Sequence, residues 1–218
     1  MTLDFTIVPS YFTLLLIGSG WTIAITAAAA VLSFVVGILF AVIALYGPAL
    51  VRYPIRLFAW LFMGTPLLLQ LFLIYFGLIQ IGIDLPAFAA GVIGLGLHFA
   101  VYNSDIIQSG IRAVDKGQYE GARTLGLSRL QTIARIIVPQ AVRSVIPPIG
   151  NNMIALLKDS ALVSVIGVTE LTLTAQLAIS KTFHPFEFYL AAAVCYYVIN
   201  LGLEAGLRHL EGRVQLSR

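Results

Sequence analysis

Charge is scarce in this sequence. Only 11% of the 218 residues are Asp, Glu, Lys or Arg, whereas 59% are hydrophobic and the mean hydropathy is +0.95. Soluble domains carry about 25% charged residues, and so little charge would leave large apolar patches facing water. The composition therefore excludes a soluble enzyme and a disordered tail. It indicates an integral membrane protein that forms one domain over residues 1–218.

Cysteine and nucleotide-binding motifs are also missing. The single Cys195 excludes a disulfide framework and a cysteine-rich metal site. No GxxxxGK[ST] run is present, so the chain lacks the loop that holds nucleotide phosphates in P-loop enzymes. The three histidines are scattered and form neither an HExxH motif nor an i, i+4 pair. We therefore expect no metal site, haem or intramembrane hydrolase centre, and no nucleic-acid partner.

Long uncharged runs predict an all-α fold with about five transmembrane helices. A crossing needs about 20 apolar residues, because the hydrocarbon core is about 30 Å thick. The first uncharged run, Phe5–Val51, exceeds one crossing, and we expect it to begin as a segment lying in the interface. The predicted helices cover residues 12–45, 57–83, 85–112, 145–171 and 188–207.

The positions of the basic residues predict the orientation. Lysine and arginine concentrate in the cytoplasmic segments of membrane proteins. Five crossings place eleven of the thirteen basic residues on one side, which predicts an N-terminus outside and a C-terminus in the cytoplasm. No basic region precedes the first helix, so we expect no removable signal peptide. The eleven are Arg52, Arg56, Arg112, Lys116, Arg123, Arg129, Arg135, Arg143, Arg208, Arg213 and Arg218.

The segment between predicted helices three and four contains a short helix of its own, over about 118–130. Tyr119, Ala122 and Leu125, with Leu130 nearby, fall near one face of this helix. Its pattern fits two readings equally: an interfacial amphipathic helix held by anionic lipid, or a docking helix for a cytoplasmic partner.

The end of this segment carries turn and cap signals. Gly126-Leu127-Ser128 interrupts the helical pattern, and Ser128 is a suitable N-cap for a following helix. Pro139 and the pair Pro147-Pro148 are expected to limit that following helix.

The same segment resembles a known signature. Glu120-Gly121-Ala122, then Gly126, then the run Ile-Ile-Val-Pro at 136–139, is similar to the "EAA---G---------I-LP" motif of ABC importer permeases. Gly121 replaces an alanine of the motif, which lowers helix propensity by about 1 kcal/mol, and Val138 replaces a leucine. The resemblance implies a coupling helix that docks on a separate ATPase through Glu120, Gly121, Ala122, Arg123, Leu125 and Gly126.

Further motifs narrow the resemblance to polar amino-acid permeases of the histidine/glutamine/arginine type. They are Gly64-Thr65-Pro66 with Gln70, Leu157-Lys158-Asp159-Ser160, and the run at 163–171, whereas residues 102–105 depart from the usual pattern. The resemblance implies that ATP and magnesium are used by the partner ATPase and that this chain binds no cofactor. It also implies a second permease subunit, identical or homologous, an amino-acid-binding protein outside near Asp84 and residues 181–187, and a multi-pass location in lipid of the bacterial inner membrane.

Polar residues inside the predicted helices are candidates for the substrate pathway. An ionisable group in a bilayer costs several kcal/mol unless it is paired or hydrated. Each candidate also has a structural alternative, as an interhelical ion pair, a helix-end hydrogen bond or a packed kink. Glu170 lies nearer the outer face and is a gating or structural candidate. The pathway candidates are Thr65, Gln70, Tyr102, Asp105, Lys158 and Asp159.

Two functions remain at this point. The first is the membrane subunit of an ATP-driven amino-acid importer that alternates between outward- and inward-facing states. The second is an ion-coupled secondary carrier in which Asp105, Asp159 and Glu170 bind protons or cations. The docking-helix pattern favours the first, because a carrier needs no cytoplasmic docking helix.

Overall fold

The computed structural model of the chain describes residues 3–215. The fold is all-α, as predicted, and the described residues contain no β-strand. Arg218, one of the basic residues used to predict the orientation, lies outside the described residues. A 3₁₀ segment, Phe5–Tyr11, leads into α1. The helices are α1 (Phe12–Tyr46), α2 (Ala49–Met63), α3 (Leu67–Gln80), α4 (Ala87–Arg112), α5 (Lys116–Thr124), α6 (Arg129–Ile166), α7 (Leu171–Thr182) and α8 (Pro185–Gln215).

Helices α1 and α4 pack side by side and run in the same direction. Gly91 faces Ile25 near their starts, and Gly37 faces Ala100 further along. A Cβ on Gly37 would lie 3.1 Å from the Ala100 carbonyl oxygen, so the missing side chain lets the two backbones approach closely. Because the helices are parallel, the chain has to return across the bundle between the end of α1 and the start of α4.

The return is made by α2 and α3, which are bent by 114° relative to each other. The predicted crossing over 57–83 is therefore present but starts earlier, at Ala49, and it is divided into two helices at the Gly64-Thr65-Pro66 break that interrupts the helical pattern of the sequence. Pro66 lacks a backbone N–H, and it ends the helical ladder after Gly64 donates to the Trp60 carbonyl. At about 1.5 Å per residue each half is roughly 22 Å long, shorter than the bilayer core, so the pair crosses only as a unit. Arg52 and Arg56, expected in a connecting segment, lie within α2.

Helix α6 begins earlier than predicted. It spans Arg129–Ile166 rather than 145–171, and it continues through Pro139, Pro147 and Pro148. A π turn over Ile133–Ile137 precedes Pro139. Such a turn widens the backbone where a proline ring would clash with the carbonyl four residues earlier. Arg135 and Arg143 therefore lie on a helix and not in a loop.

The remaining contacts fix the direction of α6 and α8. Gly110 of α4 lies against Val145 and Asn103 contacts Asn152, so α6 is antiparallel to α4, and Leu207 of α8 packs against Gly150 of α6. The Asp4 backbone N–H donates to Glu187 at the start of α8 over 2.8 Å. The start of α1 and the end of α8 thus lie at opposite ends of the bundle, as five crossings require.

A buried polar cluster ties α1, α4 and α6 together at one level. The Asn103 amide donates to Ser33 Oγ over 3.2 Å, and the Asn152 amide donates to Asn103 Oδ1 over 3.0 Å. Ser33 and Asn103 are fully buried. Around this cluster the core is hydrophobic, and its larger members are Ile25, Leu71, Leu95, Phe99, Leu156 and Val163.

Candidate functional site

Helix α5 is short and closed at both ends by its own side chains and turns. The Asp115 carboxylate accepts a hydrogen bond from the Gly117 N–H over 2.6 Å, which caps the N-terminus. Gly126 follows the helix with a φ of 73°, the left-handed region that favours glycine. The Leu127 N–H then donates back to the Ala122 carbonyl over 3.1 Å. The helix ends at Thr124, so the prediction of one helix over 118–130 is wrong at its C-terminal side.

The interruption and the following cap are confirmed. Ser128 Oγ accepts from the Gln131 N–H, and the Gln131 side chain accepts from the Ser128 N–H over 2.9 Å. This capping box starts α6. Leu130 therefore belongs to α6 and not to the short helix.

Helix α5 touches the rest of the chain through a small area. Ala122 is its only fully buried residue, and Gln118 accepts a hydrogen bond from the Gln140 amide over 3.2 Å. Leu125 does not share the face of Ala122, because the helix has ended, and it is 79% exposed. Leu130 is 77% exposed. Large apolar side chains this open to water are typical of a surface that a partner covers.

The other residues of α5 are open to water as well. Glu120, Gly121 and Arg123 are exposed. Partial desolvation raises the pKa of the Tyr119 phenol. A groove of about 370 Å³ lies between α5 and the end of α1, and the Arg129 guanidinium stands 5.8 Å from the centre of the Tyr46 ring. The groove is lined by Tyr46, Tyr119, Arg123, Leu127, Arg129, Thr132 and Ile133.

The bend between α2 and α3 is closed by one buried side chain. The Gln70 amide nitrogen donates to the Phe62 carbonyl over 2.7 Å and to the Thr65 carbonyl over 3.1 Å. These carbonyls lose their helical partners at the Gly64-Thr65-Pro66 break, and an unsatisfied carbonyl inside a bilayer costs several kcal/mol. Gln70 also contacts Thr65 Oγ1 over 3.0 Å. Gln70 thus holds the shape of the bend.

Gln70 connects the bend to α4 through a histidine that the sequence analysis did not place in the site. His98 Nδ1 lies 3.0 Å from Gln70 Oε1, and the His98 and Tyr102 rings are 5.1 Å apart. Asp105 follows on the same helix face, since residues i, i+4 and i+7 align. That spacing was the signal available in the sequence. Tyr102 and Asp105 are exposed, and Asp105 accepts a 3.5 Å contact from Gln108.

Lys158 and Asp159 are not brought into this group. Lys158 is exposed and Asp159 is half-buried on α6. Within residues 3–215 neither of them takes part in an ion pair, whereas His184 pairs with Glu187 and Glu204 pairs with Arg208. The two neighbours point in different directions on the helix, as expected for adjacent residues.

Glu170 is fully buried at the start of α7. Its carboxylate accepts hydrogen bonds from the N–H groups of Thr172 and Leu173, each over 2.9 Å, and from the Tyr196 hydroxyl. The Thr22 hydroxyl of α1 accepts a hydrogen bond from the Leu171 N–H over 3.1 Å. Glu170 therefore caps α7 and links it to α1 and α8, which is the geometry of a structural role.

Comparison with known proteins gives one family. Residues 33–216 match the family described as "Binding-protein-dependent transport system inner membrane component". The probable amino-acid ABC transporter permease PatM of Vibrio harveyi is 36% identical over 202 residues, which cover 90% of each chain. The probable amino-acid ABC transporter permease YckA of Bacillus subtilis is 36% identical over 84% of this chain and 80% of its own.

Solved structures agree with this match. A chain from the crystal structure of an amino acid ABC transporter with histidines is 38% identical and superposes with a TM-score of 0.92, over 98% of this chain and 100% of its own. A chain of the MetNI methionine ABC transporter in an inward-facing conformation shares the fold at 17% identity, with a TM-score of 0.76 over 94% of this chain and 98% of its own. These findings give no support to an ion-coupled carrier. The chain belongs to the family of binding-protein-dependent transport system inner membrane components, the permeases of ABC importers.

Proposed function

We propose that this chain forms half of the translocation path of an importer for polar amino acids, and that a separate ATPase drives it by moving α5. The family match and the amino-acid permeases among its relatives support the transport class. Five crossings are too few to enclose a path, so two permease subunits, identical or homologous, are needed. ATP and magnesium are then used by the partner, and this chain holds neither.

The observation that carries the coupling proposal is the state of α5. Its ends are fixed by Asp115 and by the Gly126 turn, yet beyond Ala122 it buries almost nothing against its own chain. A rigid helix with an exposed acidic residue, Glu120, and exposed apolar residues beside it is suited to sit in a groove of a second protein. Movement of that protein would then be passed to α6, which is separated from the end of α5 by four residues.

The proposed path runs along the α3–α4 face, with Lys158 and Asp159 of α6 as further candidates. An amino acid presents an ammonium and a carboxylate. Asp105 is suited to accept hydrogen bonds from the ammonium, and the Tyr102 hydroxyl is suited to donate to the carboxylate. Gln70 and Thr65 would act by holding the bend that opens this face. Glu170 would keep α7 in place at the outer end.

The orientation belongs to the same proposal. The basic residues of the segment leading to α6 and of α8 lie toward the end of the bundle that carries α5, and the positive-inside rule puts that end in the cytoplasm. The N-terminus is then outside, and an amino-acid-binding protein would dock on the outer surface near Asp84 and residues 181–187.

Reconstitution tests the proposal. The permease is placed in liposomes with an ABC ATPase and an amino-acid-binding protein, and uptake of labelled amino acids and ATP hydrolysis are measured. Glu120→Lys should abolish uptake and the stimulation of ATP hydrolysis, because it reverses a charge on the docking helix. Arg56→Gln, an exposed change on α2, is the matched control and should transport normally. Coupled transport by Glu120→Lys would refute the docking role, and uptake driven by a proton gradient without ATP would refute the importer.

Asp105→Asn tests the path separately. If Asp105 accepts the substrate ammonium, the variant should bind substrate more weakly or show a changed order of competing amino acids, while ATP hydrolysis stays coupled. Unchanged competition by a panel of amino acids would return Asp105 to a structural role.

A further inference from the structure

Two separate apolar grooves lie where α1, α6 and α8 diverge. The lower groove, towards the end of the bundle that carries α5, has a volume of about 440 Å³ and is lined by hydrocarbon side chains and one glycine. The upper groove, about 340 Å³, contains Thr26, whose hydroxyl has no hydrogen-bond partner in the described chain. The lower groove is therefore the better site for a purely apolar group. The walls of the lower groove include Phe34, Ile38, Val42, Val142, Ile146 and Leu210.

The lower groove has the depth of one lipid leaflet. From Phe34 to Val42 the α1 wall rises about 12 Å, at about 1.5 Å per residue. Half of a hydrocarbon core of about 30 Å is about 15 Å. An extended acyl chain of a single leaflet therefore matches the length of the groove.

The lower groove lies on the opposite side of the bundle from the proposed substrate path. On α4, Ile107 lines the groove and His98 lies on the path side, in contact with Gln70, and nine residues at 100° each place them about 180° apart. On α6, Ile149 lines the groove and Lys158 is nine residues away, again about 180°. The groove therefore opens away from the proposed substrate path, towards lipid.

Two arginines stand at the α5 end of the groove. Arg135 lies three residues before Val138 at the start of α6, and Arg213 follows Leu210 by one turn of α8. Both are exposed, and neither has an ion-pair partner in the described part of the chain. No carboxylate lines the lower groove. An apolar slot with positive charge at its mouth complements a molecule with an acyl chain and an anionic head.

We propose that the lower groove binds one anionic phospholipid of the inner leaflet, with an acyl chain between α1, α6 and α8 and its phosphate at Arg135 and Arg213. The assignment to the inner leaflet rests on the proposed orientation. The bound lipid fills the gap between α6 and α8 close to the end that carries α5. Helix α5 is followed by the start of α6, so the bound lipid packs against the part of α6 that connects to α5.

Native mass spectrometry of the purified full-length permease tests this site. The protein is titrated with phosphatidylglycerol or with phosphatidylcholine of the same acyl chains, and retained lipids are counted. We expect one phosphatidylglycerol per permease chain and weaker binding of phosphatidylcholine. Arg135→Gln and Arg213→Gln should each weaken phosphatidylglycerol about fivefold without changing phosphatidylcholine. Ile38→Trp, which fills the slot, should remove both lipids.

Matched variants keep the test falsifiable. Leu39→Trp puts the same ring on the neighbouring exposed position of α1 outside the groove, and Arg56→Gln removes a charge elsewhere; both should bind lipid as the parent does. Equal loss in Leu39→Trp, or equal affinity for both lipids in the parent, would overturn the proposal. So would a disulfide between two chains carrying Ile38→Cys in a Cys195→Ala background, because the groove would then be a subunit interface. None of these readouts needs transport, so the lipid site can fail while the importer assignment stands.

Discussion

The two short helices at opposite ends of the bundle, α7 and α5, are held in contrasting ways. At the end of the bundle where the chain begins, α7 is fixed by the chain itself: Glu170 caps it, Thr22 and Tyr196 hold the cap, and Leu171, Ala175 and Ala178 are fully buried. At the opposite end, α5 buries Ala122 alone and leaves its larger side chains in water.

The difference indicates which end is complete in a single chain. The start of α7 has its polar groups paired and one face of the helix is buried, so this chain itself fixes the position of α7, although Leu177 and Phe183 at its far end are exposed. The α5 region is rigid but largely unpacked, which is the expected state of an element whose packing partner is another polypeptide. Substitutions in the two regions should therefore differ in their effect on the stability of the isolated permease, which SDS titration in mixed micelles measures.

The largest effect is expected for Glu170→Ala. It leaves two partly buried backbone N–H groups and the Tyr196 hydroxyl without their acceptor, which should cost about 3 kcal/mol. Glu170→Gln retains one side-chain acceptor and should cost less. If Glu170→Ala unfolds at the same SDS fraction as the parent, α7 is not fixed by this carboxylate and the contrast with α5 fails.

Gln70→Leu should come next. It removes the donor that satisfies the Phe62 and Thr65 carbonyls at the bend, at a cost of about 2 kcal/mol. Leu69→Ala, a substitution at the exposed neighbouring position, should change stability by less than about 0.5 kcal/mol. An equally stable Gln70→Leu variant would show that the bend is held by other contacts.

Gly126→Ala is expected to cost about 1 kcal/mol, because an alanine at a φ of 73° is strained. Gly121→Ala supplies a control of opposite sign. Gly121 is helical, and a Cβ there meets nothing within 4 Å, so alanine should stabilise the permease slightly by favouring the helix. Two destabilised variants, or two stabilised ones, would mean that the turn after α5 is not the one described.

The smallest effect is expected for Leu125→Ala, at less than about 0.5 kcal/mol, since its side chain is mostly in water. Leu171→Ala, the same substitution at a fully buried site next to Glu170, should cost about 3 kcal/mol. The affinity for the ATPase partner, measured by co-purification at graded salt and detergent, should fall more in Leu125→Ala than in Leu171→Ala. A large loss of stability in Leu125→Ala would mean that α5 is packed against its own chain.

The local features of this fold could be predicted from the sequence. Apolar runs define the long helices because a helix in lipid needs about 20 such residues. The break at Gly64-Thr65-Pro66 and the cap at Ser128 follow from the backbone limits of proline and the hydrogen bonding of serine. The face shared by Tyr102 and Asp105 follows from helical spacing.

The features that depend on distant contacts could not. The His98–Gln70 contact joins residues 28 apart, and the Glu170–Tyr196 contact joins residues 26 apart; each depends on which helices become neighbours. The predicted start of α6 at residue 145 follows the apolar run and is too late, and Pro147 and Pro148 do not limit the helix that Ser128 caps. Tertiary packing keeps the helix continuous through them, which no single-residue preference records.

The cluster of Ser33, Asn103 and Asn152 has a mechanical consequence. Its hydrogen bonds join three crossing helices at one depth, so sliding one helix along another would break them, whereas tilting about that depth would not. A displacement of the helix ends at one surface of the membrane should therefore produce a displacement in the opposite direction at the other surface.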